Sequence, residues 1–189
     1  MKLNPTLIRS QIDYWFEQSK EVSSSWYEDT FLFCQELANQ YQVPVRYVVA
    51  ILSALSPQQK FEQNKKSTEY YFKTGYVKHT SRQRDKIELM KFILEEKNEK
   101  EQDKFLMKCL GGSKTKFFYH NIVYRDQSPF VTLDSWMIKV LVDWKRKHLT
   151  KNQYEIVSNI MIQKAYDYNI PVCNLQAKIW TCIRDGKNF

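Results

Sequence analysis

Two residues of this chain have the side chains and the placement for chemistry at a sugar. Lys114 follows Gly111-Gly112-Ser113, and Asp134 follows Val131-Thr132-Leu133 twenty positions later. Each stands where a helix is expected to begin. Breaking a base from a sugar passes through an oxocarbenium-like state, which a fixed carboxylate stabilises while it orients a water or amine nucleophile. A lysine whose neighbours depress its pKa can be that amine, through a Schiff base with the opened sugar. Both residues also have plainer uses. Asp134, or Thr132 before it, can cap the helix that starts near Ser135, and Lys114 can simply neutralise a phosphate.

The surrounding stretch supplies the setting. The chain has four glycines, and two of them lie side by side between Phe105-Leu106-Met107-Lys108-Cys109-Leu110 and Ser113-Lys114-Thr115, which reads as helix, tight hairpin, helix. Glycine admits positive φ and a close backbone approach, and the following helix presents its first amides to a ligand. Gly111, Gly112, Ser113, Thr115 and Lys116 are therefore candidate phosphate contacts. From Lys104 to Lys151 ten Lys or Arg stand against three carboxylates, so this quarter carries +7 of the total +8 and the remainder is nearly neutral. Lys139 and the cluster Lys145-Arg146-Lys147 extend the basic footprint, which fits the phosphates of double-stranded DNA, an acidic protein or a membrane surface. The G-x-x-x-x-G-K-[ST] spacing of an ATP-binding loop is not met and no strand precedes the glycines.

These positions need helices to hold them. A length of 189 residues, 43% hydrophobic and 15% aromatic content, few Gly and Pro and long 3.6-periodic stretches predict an all-α fold. About ten short helices are expected, in one domain spanning 1–189. Val45, Val48, Val49, Leu52 and Leu55 mark the most apolar helix, and Tyr76 to Asp103 reads as a solvated helix and loop with Ile87, Met90 and Leu94 on one face. Met137, Val140, Leu141 and Trp144 form a stripe before the basic cluster. Thr150 caps a long helix bearing Tyr154, Val157, Met161, Ala165 and Tyr168, and the last helix runs to Gly186. A helix of about three turns from Lys114 and a return through Pro129 would bring the starts of the Lys114 and Asp134 helices to one side.

Phe117, Phe118, Tyr119 and Tyr124 could stack on an extruded base or fill the core. Gln176, Trp180 and Arg184 share a helical face by i, i+4 and i+8 spacing, as a site wall or a packed helix would. The four cysteines and three histidines are scattered without metal-ligand spacing, so no metal centre and no cofactor are expected. The first residues lack an apolar signal region and no run reaches membrane-span length, so an intracellular, non-membrane protein is expected.

Leu110-Gly111-Gly112-Ser113-Lys114-Thr115, followed by Val131-Thr132-Leu133-Asp134-Ser135 and Lys139-Val140, resembles the helix-hairpin-helix DNA glycosylase superfamily typified by endonuclease III. Ser53-Ala54-Leu55-Ser56 resembles the end of that family's buried helix. Trp136 stands where the family has histidine and Lys139 where it has arginine, and its C-terminal iron-sulfur cysteines have no counterpart. Ser56-Pro57 with Asn64, Phe118-Tyr119 with Asn121-Ile122, and Gln176-Ala177-Lys178-Ile179-Trp180 with Arg184 are similar to small phage-encoded relatives, some linked to modified-base DNA. The resemblance implies two lobes, roughly 25–130 and 1–24 plus 131–189, with duplex DNA in the cleft between them. It further implies Asp134 as the essential aspartate, Lys114 as lyase candidate and a cytoplasmic setting in a bacterial or phage-infected cell, while the missing cysteines leave no iron-sulfur cluster expected. Asn64, Tyr119, Trp136, Gln176, Trp180 and Arg184 become candidate pocket residues. The expected activity is excision of a damaged or modified base, and the alternative is a non-catalytic DNA- or protein-binding member. The target base and oligomeric state stay open.

Overall fold

The computed structural model of the chain describes residues 3–78 and 80–185, so the expected stop of the last helix at Gly186 and the ring of His79 lie outside the described residues. Those residues form ten α-helices and no strand. In chain order the helices are α1 (Pro5–Gln18), α2 (Trp26–Tyr41), α3 (Val45–Leu55), α4 (Phe61–Thr74), α5 (Ser81–Met90), α6 (Glu99–Leu110), α7 (Ser113–Tyr124), α8 (Ser135–Leu141), α9 (Lys151–Asp167) and α10 (Val172–Asp185). Short 3-10 turns occupy Lys91–Glu95 and Arg125–Gln127. The helices gather into two compact units, Met1–Glu28 with Tyr124–Phe189, and Asp29–Val123.

In the first unit α1 packs on α8, α9 and α10. The apolar positions at helical spacing converge there: Ile8 and Ile12 from α1, Met137 and Leu141 from α8, Val157 and Met161 from α9. Leu175 and Ile179 of α10 close the same core. Each such side chain contributes roughly 1.5–3 kcal/mol on burial. Local signals start and stop the elements. Asn4 accepts the amide of Leu7 ahead of Pro5 at the first turn of α1, and Thr150 and Gln153 form a reciprocal capping box on α9. The expected stripe through Trp144 is shorter than read: α8 ends at Leu141, and Asp143 turns the chain by accepting the amide of Lys145 at 2.9 Å, which leaves Trp144 half exposed.

The second unit is built around α3, which packs against α4, α5 and α6. Residues Tyr47 to Leu55 are all buried, so α3 is enclosed on every side rather than along one stripe. A valine-rich helix of modest propensity is held by that burial. Its first turn is pinned by Arg46, whose guanidinium pairs with Asp103 and Glu99 of α6, each at 3.1 Å. Gly75 ends α4 with φ +69 and returns its amide to Tyr71 at 2.7 Å. Ile87 and Met90 are buried as their spacing required, but Leu94 is 41% exposed while Ile93 is buried. The 3-10 turn Lys91–Glu95 advances the chain faster per turn than an α-helix and so rotates the buried position by one residue.

Candidate functional site

Asp134 is the N-cap of α8. Its backbone is extended (φ −87, ψ 179), and its Oδ1 accepts the amides of Trp136 and Met137, both at 2.9 Å. Its Oδ2 accepts the indole N–H of Trp180, from α10, also at 2.9 Å. The capping role is thus realised, and Thr132 is not the cap. The extended approach to Asp134 is clamped by Tyr154 of α9, whose hydroxyl accepts the Leu133 amide at 2.9 Å and donates to the Val131 carbonyl at 2.7 Å. Burial pushes the Tyr154 hydroxyl above its ordinary range; the Leu133 N–H opposes that and the nearby Asp134 charge reinforces it. The hydroxyl therefore keeps its proton and the clamp stays a donor.

Rings and cations surround this carboxylate. Trp26 lies 5.3 Å from the Trp180 ring at 57°. The guanidinium of Arg184 stands 5.6 Å from the Trp136 ring and 5.7 Å from that of Trp180, and the Lys139 ammonium is 4.6 Å from Trp136. One turn before Trp180, Gln176 is buried and its side-chain oxygen accepts the hydroxyl of Tyr27. Of the candidates taken from sequence, Asp134, Trp136, Lys139, Gln176, Trp180 and Arg184 share this unit. Asp134, Trp136, Trp180 and Arg184 are half-buried, so the cluster is partly open to solvent. A half-open carboxylate flanked by indoles and two cations suits a ligand with a flat ring and negative charge.

The hairpin belongs to the other unit. Two residues, Gly111 and Gly112, join α6 to α7. Gly111 takes φ +83, a conformation that a side chain resists, whereas Gly112 stays out of the left-handed region and a Cβ there would meet nothing. The turn is closed by side chains: Lys86 of α5 donates to the Leu110 carbonyl at 2.6 Å, and the Thr115 hydroxyl lies 3.2 Å from that carbonyl and 3.0 Å from that of Gly112. Thr115 therefore serves the turn. Gly111, Gly112 and Ser113 are exposed, and Lys114 and Lys116 are half-buried. Burial, and then the neighbouring Arg82, lower the Lys86 ammonium below its ordinary pKa.

Other candidates resolve differently. Phe118 and Tyr119 belong to the core, and the Tyr119 hydroxyl donates to Asp103 at 2.5 Å. Tyr119 is thus no stacking surface, because its ring is fully covered and its polar tip is spent. Asn64 is buried, with its amide on the Leu52 carbonyl at 3.1 Å; among the described residues its oxygen, like the Ser53 hydroxyl, has no hydrogen-bond partner. The +7 block divides: Lys104, Lys108, Lys114 and Lys116 fall in one unit, and Arg125, Lys139, Lys145, Arg146, Lys147 and Lys151 in the other. Lys145 and Lys147 are exposed and Arg146 is half-buried. Sequence reading passed over Trp26, Tyr27, Tyr154 and Lys86. Tyr154 reads by its spacing as a core position, and the pairing of Trp26 with Trp180 carries no local signal.

Among the described residues no group of three His, Cys, Asp or Glu side chains could hold a metal ion, and no helix is long and apolar enough to cross a membrane. Fold and site together define an all-helical protein in two units, one bearing a capped carboxylate among tryptophans and cations, the other a two-glycine hairpin between helices. Residues 12–187 match the model of the Family of unknown function (DUF7178), and the chain belongs to that family. No curated protein and no solved structure matches it.

Proposed function

We propose that the protein binds DNA and excises a damaged or modified base, with Asp134 as the carboxylate that stabilises the oxocarbenium-like state. The observation that carries this reading is the setting of Asp134. Two helix amides hold Oδ1 in place, while Trp136, Trp180 and Arg184 crowd the same half-open surface. A carboxylate fixed in this way is the kind of group that can oppose a developing cation. The hairpin Gly111-Gly112-Ser113 with Lys114 and Lys116 is assigned to the phosphate backbone, and Lys114 is the amine available for a Schiff base.

One contact favours a second reading, in which the fold only binds DNA or a protein partner and Asp134 serves as a cap. The Trp180 indole occupies Oδ2, which a reacting sugar would need. Incubation with duplexes carrying a panel of damaged and phage-type modified bases, followed by alkali cleavage and borohydride trapping, separates the two. Excision abolished by Asp134→Asn, and trapping abolished by Lys114→Ala, are the results expected for the enzyme. Salt-dependent duplex binding without product, equal in wild type and Asp134→Asn, is the result of the binding module.

A further inference from the structure

The near-neutral charge outside the +7 block is an average over opposites. Residues 60–84 carry seven Lys or Arg against two carboxylates, whereas 85–103 carry seven carboxylates against four lysines. Three of those seven, Lys65, Lys66 and Lys73, lie on α4, where Gln63, Lys66, Ser67 and Tyr70 follow i, i+3, i+4 and i+7, one face of a helix. An apolar stripe at that spacing would face a core; this one faces solvent. Glu62 and Glu69 fall about a quarter-turn or more from it, at 100° per residue.

That face is one wall of an open groove of about 320 Å³, completed by Gln59 and by Val77-Lys78. Tyr70 is 39% exposed, with the Lys78 ammonium 4.9 Å from its ring centroid. Ser67 donates to the side-chain oxygen of Gln59 at 3.3 Å, which orients that amide across the groove. Among the described residues neither Lys66 nor Lys78 pairs with a carboxylate, although Lys65 on the adjoining face takes Glu62 at 3.6 Å.

We infer that this groove binds an unpaired nucleotide within a nucleic-acid strand, with Tyr70 as stacking platform, Lys66 and Lys78 on the flanking phosphates, and Gln59 and Gln63 on base edges. A π-face beside unpaired cations is the combination that holds single strands, since every base offers a ring and every link a charge. Lys60, Lys65 and Lys73 before Lys78 in the chain, and Arg82 and Arg84 after it, add positive charge to the same stretch, which favours a strand over a free nucleotide. A duplex hides its base faces within the stack and offers Tyr70 nothing to cover. This surface uses none of the residues assigned to excision.

The test is fluorescence anisotropy with the full chain and labelled oligothymidylate of roughly twelve nucleotides, its ribose counterpart, and a blunt duplex. Tyr70→Ala should weaken strand binding roughly five- to hundredfold while Tyr70→Phe retains it. Lys66→Glu with Lys78→Glu should lower the salt slope by about 1–2. Both lysines are exposed, so this pair carries the test should Tyr70→Ala lower the melting temperature. Equal Tyr70 dependence on the ribose strand supports the site and extends it to RNA, and dependence on the deoxy strand alone supports it for DNA. Unchanged affinity in both variants, a loss in Tyr70→Phe equal to that in Tyr70→Ala, or the same Tyr70 dependence on the blunt duplex would overturn it.

Discussion

Replacing Asp134 by Asn tests whether the carboxylate and the tryptophan helix are one energetic unit. Asparagine caps a helix as well as aspartate does, so the bonds from the Trp136 and Met137 amides can survive. Its second atom is then an NH₂ group, which faces the Trp180 N–H that now donates at 2.9 Å. Two donors meet, and either the indole or one helix amide loses its acceptor. A hydrogen bond to a charged group contributes about 1.5–3 kcal/mol and the site is half open to water, so the lower part of that range applies. Asp134→Asn should cost about 1–2 kcal/mol, and Asp134→Ala, which also removes the cap, about 2–3 kcal/mol. Trp180→Phe deletes the donor. In the background of Trp180→Phe, Asp134→Asn should cost less by about 1 kcal/mol. Urea unfolding of the four proteins, followed by far-UV circular dichroism, gives the cycle. Single effects that add within about 0.3 kcal/mol would refute the pairing and with it the claim that α10 positions the carboxylate.

Three further outcomes follow from the same structure. Gly111→Ala should destabilise by about 1–2 kcal/mol, because φ is +83 and the new Cβ meets the Lys86 ammonium at 3.3 Å, while Gly112→Ala should be nearly neutral; urea midpoints distinguish them. Tyr119→Phe should cost about 1.5–3 kcal/mol by taking a donor from buried Asp103, and a neutral midpoint would show that the carboxylate does not depend on this hydroxyl. Burial holds the pKa of His120 below its ordinary 6.5, with Asp103 opposing. Between 6.5 and the lower folded value the unfolded chain binds more protons, so stability should fall as pH drops through that window and level off beneath it. The fall should be smaller in His120→Asn, measured by urea midpoints from about pH 7 to pH 5.

Much of the scaffold was legible because its signals are local. Period 3.6 in apolar residues placed α1, α3 and α9, Thr150 and Asp134 announced caps through their own side chains, and Gly111-Gly112 marked the turn between α6 and α7. Errors arose where helical phase shifts without a break in composition. Leu94 and Ile93 exchange burial in a 3-10 turn, and Trp144 lies beyond a helix that Asp143 ends early.

The sequence by itself determined the all-α class, most helix starts and the residue types able to meet phosphate or a developing cation. Those choices are set by one residue and its near neighbours along the chain. Only the tertiary structure decided that a run of ten basic residues is shared between two units, that Tyr119 is core, and that Asp134 is held from α10. It also decided that Lys86 closes the hairpin and that Tyr70 lines an open groove with Lys66 and Lys78. Asp134 and Trp180 stand 46 positions apart and Lys86 and Leu110 stand 24 apart. Pairings at such separations are fixed by how helix faces pack, which no short window of sequence contains.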